Sequence, residues 1–116
     1  MLSDAELQAL FRLPESDRVE RKESLANADR VCQAICAHAN DLANHGSPGV
    51  VFVGQRDDLT CAGLAIDDRL LATLGGYRSD GRLLPFPTMR VRAATLDGCT
   101  VAVIEVEPSE NPPVRF

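Results

Sequence analysis

The sequence predicts a single α+β domain, built from one mixed sheet with helices packed on it. From Asn27 to about Asn44, apolar residues recur at three- and four-residue steps, which predicts an amphipathic helix. The run VVFVG is continuously apolar and rich in β-branched residues, which indicates a buried strand. Near the end of the chain, two apolar-rich runs flank Asp97 and Gly98, a pair typical of a hairpin turn.

The remaining elements are predicted by local signals along the chain. Ser3 and Glu6 have the spacing of a capping box at the start of SDAELQALFRL, and Pro14 ends this short helix. The alternating segment VERKESL, residues 19–25, predicts a strand. LTCAGLAI predicts a return strand, and DDRLLATLGGY predicts a short helix ended by its glycines. The predicted order is helix, strand, helix, strand, strand, helix, strand, strand.

Composition limits the classes of function. The chain has 116 residues, 45% of them hydrophobic, which suits one globular domain. The net charge of −5 argues against a uniformly basic nucleic-acid binder, so any such role needs locally clustered cations. Eleven of the twelve cations are arginine, which suits contacts with phosphate or carboxylate. The sequence shows neither a leader nor an apolar run of about 18 residues, so we expect a cytoplasmic domain without a membrane span.

The cysteines and histidines offer weaker signals. In a cytoplasmic chain all four cysteines are expected to be reduced. Cys32 and Cys36 share a helix face, and a zinc site is conceivable there, although their position on the apolar face favours small buried side chains. The residues that could complete such a site are His38, His45, Cys61 and Cys99. Neither histidine has an evident nucleophile to activate, and no phosphate-binding loop motif occurs.

Four segments in fixed order carry a family resemblance: ESDRVERKESL, ICAHANDLANHG, GVVFVGQRDDLTCAG and VIEVEPSENPPV. Together they resemble the Schlafen-type Alba-like domain, a family often described as DNA-binding. The similarity runs from about Glu15 to Val114, so we divide the chain into an N-terminal helix, 1–14, and the Alba-like domain, 15–116. The residues that fit the family pattern are Glu15, Glu20, Lys22, Asn40, Gly54 and either Asp57 or Asp58.

The sequence also departs from that pattern. Arg21 stands where the family strand usually has an aromatic residue, and Gln55 and Arg56 precede the acidic pair. HGSPG replaces the usual paired glycines. Because such domains commonly precede a winged-helix or ATPase-like segment in regulators, the resemblance implies a fragment of a longer transcriptional regulator with a further C-terminal domain.

The leading functional hypothesis is a nucleic-acid-binding or regulatory module that needs no cofactor. Arg90 and Arg92 are two apart on a predicted strand, so they share a face that could follow phosphates. The alternative is a solvated face on which they pair with Glu105 and Glu107 across the hairpin. The candidate nucleic-acid-binding residues are Arg18, Arg21, Lys22, Arg56, Arg90 and Arg92.

Two further hypotheses stay open. Some animal relatives use carboxylates in the matching region as a ribonuclease site, so the resemblance implies Glu15, Glu20 and Asp58 as catalytic residues and ligands of Mg²⁺ or Mn²⁺. Lys22 would then hold the scissile phosphate, whereas the plain alternative is a solvated strand surface. The third hypothesis is a protein-interaction or homo-oligomerisation domain that uses an exposed edge of the final hairpin.

Overall fold

The computed structural model describes residues 2–110 and 112–116 and confirms the predicted α+β class. Four strands form one mixed sheet in the order β1-β2-β4-β3, and three helices pack on it. The elements are α1 (Asp4–Phe11), β1 (Val19–Lys22), α2 (Ala28–Asn40), β2 (Gly49–Val53), α3 (Asp68–Gly76), β3 (Met89–Leu96) and β4 (Cys99–Val106). Within the described residues, no helix is both long and apolar enough to cross a membrane.

The sheet is parallel at one edge and antiparallel elsewhere. Strand β1 pairs with β2 in parallel, with Val19 opposite Val50, whereas β4 pairs antiparallel with both β2 and β3. Because β2 and β4 are the two interior strands, their residues are almost all buried, as the apolar runs predict. The confirmed hairpin turns at Asp97 and Gly98, which both have positive φ, 50° and 75°.

Each face of the sheet has its own apolar core. Helices α2 and α3 cover one face, on which Ile35 and Leu74 pack against residues such as Val51 and Ile104. Helix α1 covers the other face, where its buried residues Leu7, Leu10 and Phe11 join side chains from all four strands. Helix α1 therefore contributes to the core on this face of the sheet. The capping box of Ser3 and Glu6 is present at its start, as predicted.

Three local predictions need correction. LTCAGLAI, residues 59–66, is not a strand, because Leu59 and Gly63 both have positive φ, and the segment pairs only through the isolated bridge from Gln55 to Cys61. The predicted strand 19–25 ends at Lys22. Helix α2 ends at Asn40 rather than near Asn44, since the next residue takes a left-handed conformation.

The expectation of four reduced cysteines is also wrong for two of them. Cys61 and Cys99 form a disulfide, with their Cα atoms 5.7 Å apart, whereas Cys32 and Cys36 are free. The bridge joins the loop after β2 to the first residue of β4. Two of the cysteines that were candidates for a zinc site are therefore held in a covalent bond to each other.

A buried arginine ties α1 to the sheet. Arg21 is only 2% exposed and lies on the α1 face of β1, where its guanidinium is 5.9 Å from the centre of the Phe52 ring. The same guanidinium donates hydrogen bonds to the backbone carbonyls of Leu10, Phe11 and Leu13, at the end of α1. The last carbonyls of a helix lack the usual partner four residues on, so Arg21 satisfies groups at this end, where the N–H of Leu13 also donates to the carbonyl of Leu10 at 3.2 Å.

The Arg21 guanidinium also forms a side-chain hydrogen bond with Gln55. The Oε1 of Gln55 accepts from Arg21 Nε at 2.6 Å, and its Nε2 donates to the carbonyls of Phe11 and Leu59. Gln55 is fully buried. Arg21 and Gln55 are two of the residues at which the sequence departs from the family pattern, and they are hydrogen-bonded to each other.

We predict that Arg21→Met lowers the free energy of unfolding by about 3 kcal/mol, because buried carbonyls and the Gln55 amide lose their donor while the apolar stem is kept. Urea unfolding followed by circular dichroism measures the change. Arg56→Met is the matched control, since this exposed arginine should change stability by less than about 0.5 kcal/mol. Equal effects of the two substitutions would contradict a structural role for Arg21.

Candidate functional site

The carboxyl ends of β1 and β2 meet at one edge of the sheet because these strands are parallel. Two adjoining depressions lie there, of about 330 and 410 Å³. The first lies against α2 and is lined by Glu20 and Gln33, and the second extends to Arg56 and the residues after it. Lys22 and Arg30 line both depressions, so we treat them as one feature, the β1–α2 groove.

Besides Arg21, whose guanidinium is engaged at the end of α1, three cations line the β1–α2 groove. Lys22 Nζ lies 3.6 Å from Glu20 Oε2, and Arg56 Nε lies 2.8 Å from Glu23 Oε1. The side chain of Arg30 is exposed and makes no ion pair with any residue in the described part of the chain. Arg30 therefore offers the guanidinium of the groove that is least committed to protein partners.

Sequence reasoning did not select Arg30. Helix periodicity places Arg30, Gln33 and Ala37 on one side of α2, and these residues line the groove. The sequence pattern of these residues alone predicts an ordinary solvent-exposed helix face. Only the pairing of β1 with β2, together with the packing of α2 across them, brings Arg30 beside Lys22.

Carboxylates lie next to the cations. Glu15 Oε1 accepts a hydrogen bond from the backbone N–H of Arg21 at 3.1 Å. Partial desolvation raises the pKa of Glu15, and the neighbouring carboxylates of Glu20 and Asp57 raise it further. The structure thus brings together two of the predicted acids, Glu15 and Glu20, with Asp57 as the third.

Asp58 accepts hydrogen bonds within its own turn. Its Oδ1 accepts from the backbone N–H of Thr60 at 3.0 Å and from the Thr60 hydroxyl at 2.6 Å, and these bonds lower the pKa of Asp58. Among residues 2–110 and 112–116, no group of three or more histidine, cysteine or acidic side chains could hold a metal ion. Asp58 is thus held in a turn by Thr60, and its role as a ligand of Mg²⁺ or Mn²⁺ beside Glu15 and Glu20 stays a prediction.

The six cations predicted to bind nucleic acid do not converge. Lys22 and Arg56 face the groove, whereas the guanidinium of Arg21 is engaged in the interior with the end of α1. Arg18 lies at the opposite end of β1, where Nη2 donates to the carbonyl of Pro48 at 3.0 Å. We therefore leave Arg18 and Arg21 out of the candidate surface.

The remaining two arginines lie on β3, at the other edge of the sheet. Arg90 Nη1 is 3.7 Å from Glu105 Oε2, on the directly paired residue of β4, and Arg92 Nη1 is 3.1 Å from Asp4 Oδ1. Arg90 thus has the cross-strand partner that the alternative interpretation gave it. Because β1 and β3 are opposite edges of a four-stranded sheet, these arginines cannot join the β1–α2 groove.

His38 and the free cysteines lie in or against the interior of the domain. The Nε2 of His38 donates to the carbonyl of Val50 at 3.0 Å, and burial lowers the pKa of this histidine. Gly49 packs so closely that a Cβ there would lie 2.4 Å from Cγ of His38. Burial likewise raises the pKa of the Cys32 and Cys36 thiols, as expected of small core side chains.

We predict that stability falls as the pH is lowered from about 7 to about 5, by up to about 1.4 kcal/mol per pH unit. The unfolded chain binds a proton on His38 near pH 6.5, whereas the folded chain resists it, so acid favours unfolding. Urea unfolding over this pH range measures the slope. His38→Gln should reduce it because glutamine does not titrate, and its amide can still donate to the carbonyl of Val50. The exposed His45 provides the control: a slope that survives His38→Gln but disappears in His45→Gln would contradict the assignment.

Comparisons with known proteins agree on one family and one fold. The model of the family described as Schlafen, AlbA_2 matches residues 15–116. A solved structure of the N-terminal domain of a RecG-related protein from Nitrosomonas europaea superposes with a TM-score of 0.65 at 20% identity, covering 97% of this chain and 85% of that chain. At this identity the likeness shows the fold alone. No curated protein matches the sequence.

Proposed function

The chain belongs to the Schlafen AlbA_2 family, and we propose that it is a nucleic-acid-binding module of a larger protein. The similar solved structure supports this proposal, since it is the N-terminal domain of a protein named as related to the DNA helicase RecG. A domain with this fold thus occurs at the front of a longer, nucleic-acid-related chain. The β1–α2 groove is the surface that we assign to binding.

The observation that carries the proposal is the continuous groove shared by Lys22, Arg30 and Arg56. Phosphate contacts need cations that can approach the backbone at the surface, and these three line an open depression. Arg30 has no competing ion pair among the described residues, and the carboxylates that pair with Lys22 and Arg56 are ones that a phosphate can displace. Binding through a few cations is independent of base sequence.

The carboxylates of the groove set the strength of binding. The carboxylates that line the groove carry charge of the same sign as phosphate, and the whole chain has a net charge of −5; they are Glu20, Glu23, Asp57 and Asp58. Repulsion offsets part of the attraction from the three cations, so the isolated module should bind weakly and with strong dependence on salt. Such a module suits a larger protein in which another domain adds affinity.

We predict that Lys22→Ala, Arg30→Ala and Arg56→Ala each weaken binding and each reduce the slope of log affinity against log salt by about 1. Fluorescence anisotropy with labelled single-stranded and duplex DNA and RNA, titrated at several salt concentrations, measures both quantities. Arg92→Ala is the matched control, since its side chain lies at the other edge of the sheet. An unchanged slope in all three groove variants would overturn the assignment of the surface.

We also predict that Asp57→Asn tightens binding about two- to threefold, because it removes one charge that repels phosphate. The same anisotropy assay gives the affinity, and Asp17→Asn is the control, as an exposed aspartate outside the lining of the groove.

A denaturing gel with Mn²⁺ or with EDTA separates this proposal from the ribonuclease hypothesis. Under the binding proposal the RNA stays intact under both conditions. Mn²⁺-dependent cleavage that is lost in Glu20→Gln would replace the module with an enzyme. If neither binding nor cleavage is found, dimer formation in sedimentation velocity would favour the interaction hypothesis and the edge of β3.

A further inference from the structure

The disulfide attaches the segment after β2, which carries Arg56, to strand β4. After β2 the chain leaves the sheet at Gly54 and runs without a helix or strand as far as the helix cap at Asp67. A short closed loop forms its first part, with the N–H of Ala62 donating to the carbonyl of Gly54 at 2.9 Å. We call residues 54–62 the bridged loop, because Cys61 within it is bonded to Cys99 of β4.

One residue of the bridged loop connects the disulfide to the groove. The sulfur of Cys61 is in the bridge, and its backbone carbonyl accepts from Arg56 Nη1 at 2.7 Å. The same guanidinium donates to Glu23 Oε1 at 2.8 Å from Nε and to the Thr60 hydroxyl at 3.4 Å from Nη1. The bridge therefore fixes the position of a carbonyl that orients one of the three groove cations.

The bridge is also open to reaction. Cys61 is exposed, whereas Cys99 is 4% exposed and belongs to the apolar core beneath α1. A depression of about 230 Å³ opens beside the two cysteines, and its walls include Arg12, Leu59 and Asp97. A small dithiol can enter a depression of this size and reach the sulfur of Cys61.

We propose that the Cys61–Cys99 bridge is a redox site that orders the bridged loop and, through Arg56, regulates the β1–α2 groove. A thiolate of a dithiol reductant attacks the sulfur of Cys61, the S–S bond breaks, and Cys99 leaves as a thiolate that takes up a proton. The second thiol of the reductant then attacks the mixed disulfide and releases Cys61. The protein ends with two thiols, and the reductant ends as its own disulfide.

Reduction removes the covalent tie but leaves the sheet intact. Cys99 remains in the core as a small apolar side chain. The bridged loop keeps its own hydrogen bonds and the buried Gln55, but its far end is no longer attached to β4. Amides of residues 56–62 should then exchange faster, and Arg56 should lose its fixed position. The effect on binding rests on the function proposed above, whereas the effect on the loop does not.

The experiment compares the oxidised chain with the chain reduced by dithiothreitol. Mass spectrometry after alkylation should find Cys61 and Cys99 protected before reduction and modified after it, with Cys32 and Cys36 free in both states under denaturing conditions. Hydrogen exchange should rise in residues 56–62, with the amides of β2 as the internal control. Affinity for the labelled nucleic acid should fall about threefold or more on reduction.

Matched variants separate the possible results. Cys61→Ser with Cys99→Ser should behave as the reduced chain and ignore dithiothreitol, whereas Cys36→Ser should respond as the wild type does. Circular dichroism of the reduced wild type should show a folded chain, and this comparison then stands even where the double variant does not fold. Four free thiols under oxidising conditions, or a bridge whose reduction changes neither exchange nor affinity, would overturn the proposal. Loop exchange that responds to reduction in a chain that binds no nucleic acid would support the redox site and overturn only the proposed function.

Discussion

The buried guanidinium of Arg21 is the interaction on which the arrangement of the domain depends. A charge in the interior is costly unless its donors find acceptors. The Nε and Nη2 of Arg21 find them in Gln55 and at the end of α1, whereas its Nη1 has no hydrogen-bond partner among the described residues. The carbonyl end of a helix carries partial negative charge, which favours a cation at this position. Helix α1, strand β1 and the bridged loop are consequently joined at one point, and the position of each depends on the other two.

The inward position of Arg21 also determines which residues form the groove. Side chains of a strand alternate between its faces, so burying Val19 and Arg21 against α1 turns Glu20 and Lys22 towards α2. A shift of one residue in the pairing of β1 with β2 would exchange the two sets and bury Lys22 instead. The two faces of β1 therefore explain the many charged residues of VERKESL. Arg21 is buried and stabilises the fold, whereas Glu20 and Lys22 line the surface groove.

The sequence predicted what is encoded by local signals. The capping box, the amphipathic helix, the buried strand and the hairpin at Asp97 and Gly98 each depend on residues close together in the chain, and all four are present. The prediction of a strand at LTCAGLAI was wrong because two residues with positive φ and a disulfide determine the conformation of that segment. Neither the positive φ angles nor the disulfide can be predicted from the alternation of apolar residues.

The site was less predictable for the same reason. Whether Asp57 or Asp58 approaches Glu15 depends on which of them the turn uses, and the bonds between Asp58 and Thr60 decide this. Arg30 joins the groove only through the packing of α2 on the sheet. The buried role of Arg21 was equally hidden, because alternation gives its face but not the helix end that packs there.

Two of the departures from the family pattern, Arg21 and Gln55, act on the same part of the chain as the disulfide. Gln55 and Cys61 are opposite each other in the bridge that closes the loop, the first held by Arg21 and the second bonded to Cys99. Residues 56–58 between them are exposed, so little apolar burial holds them in place. Their position depends instead on a buried polar pair on one side and a covalent bond on the other. A cation on such a loop can be moved without disturbing the core, which is why Arg56 is the member of the groove best suited to control.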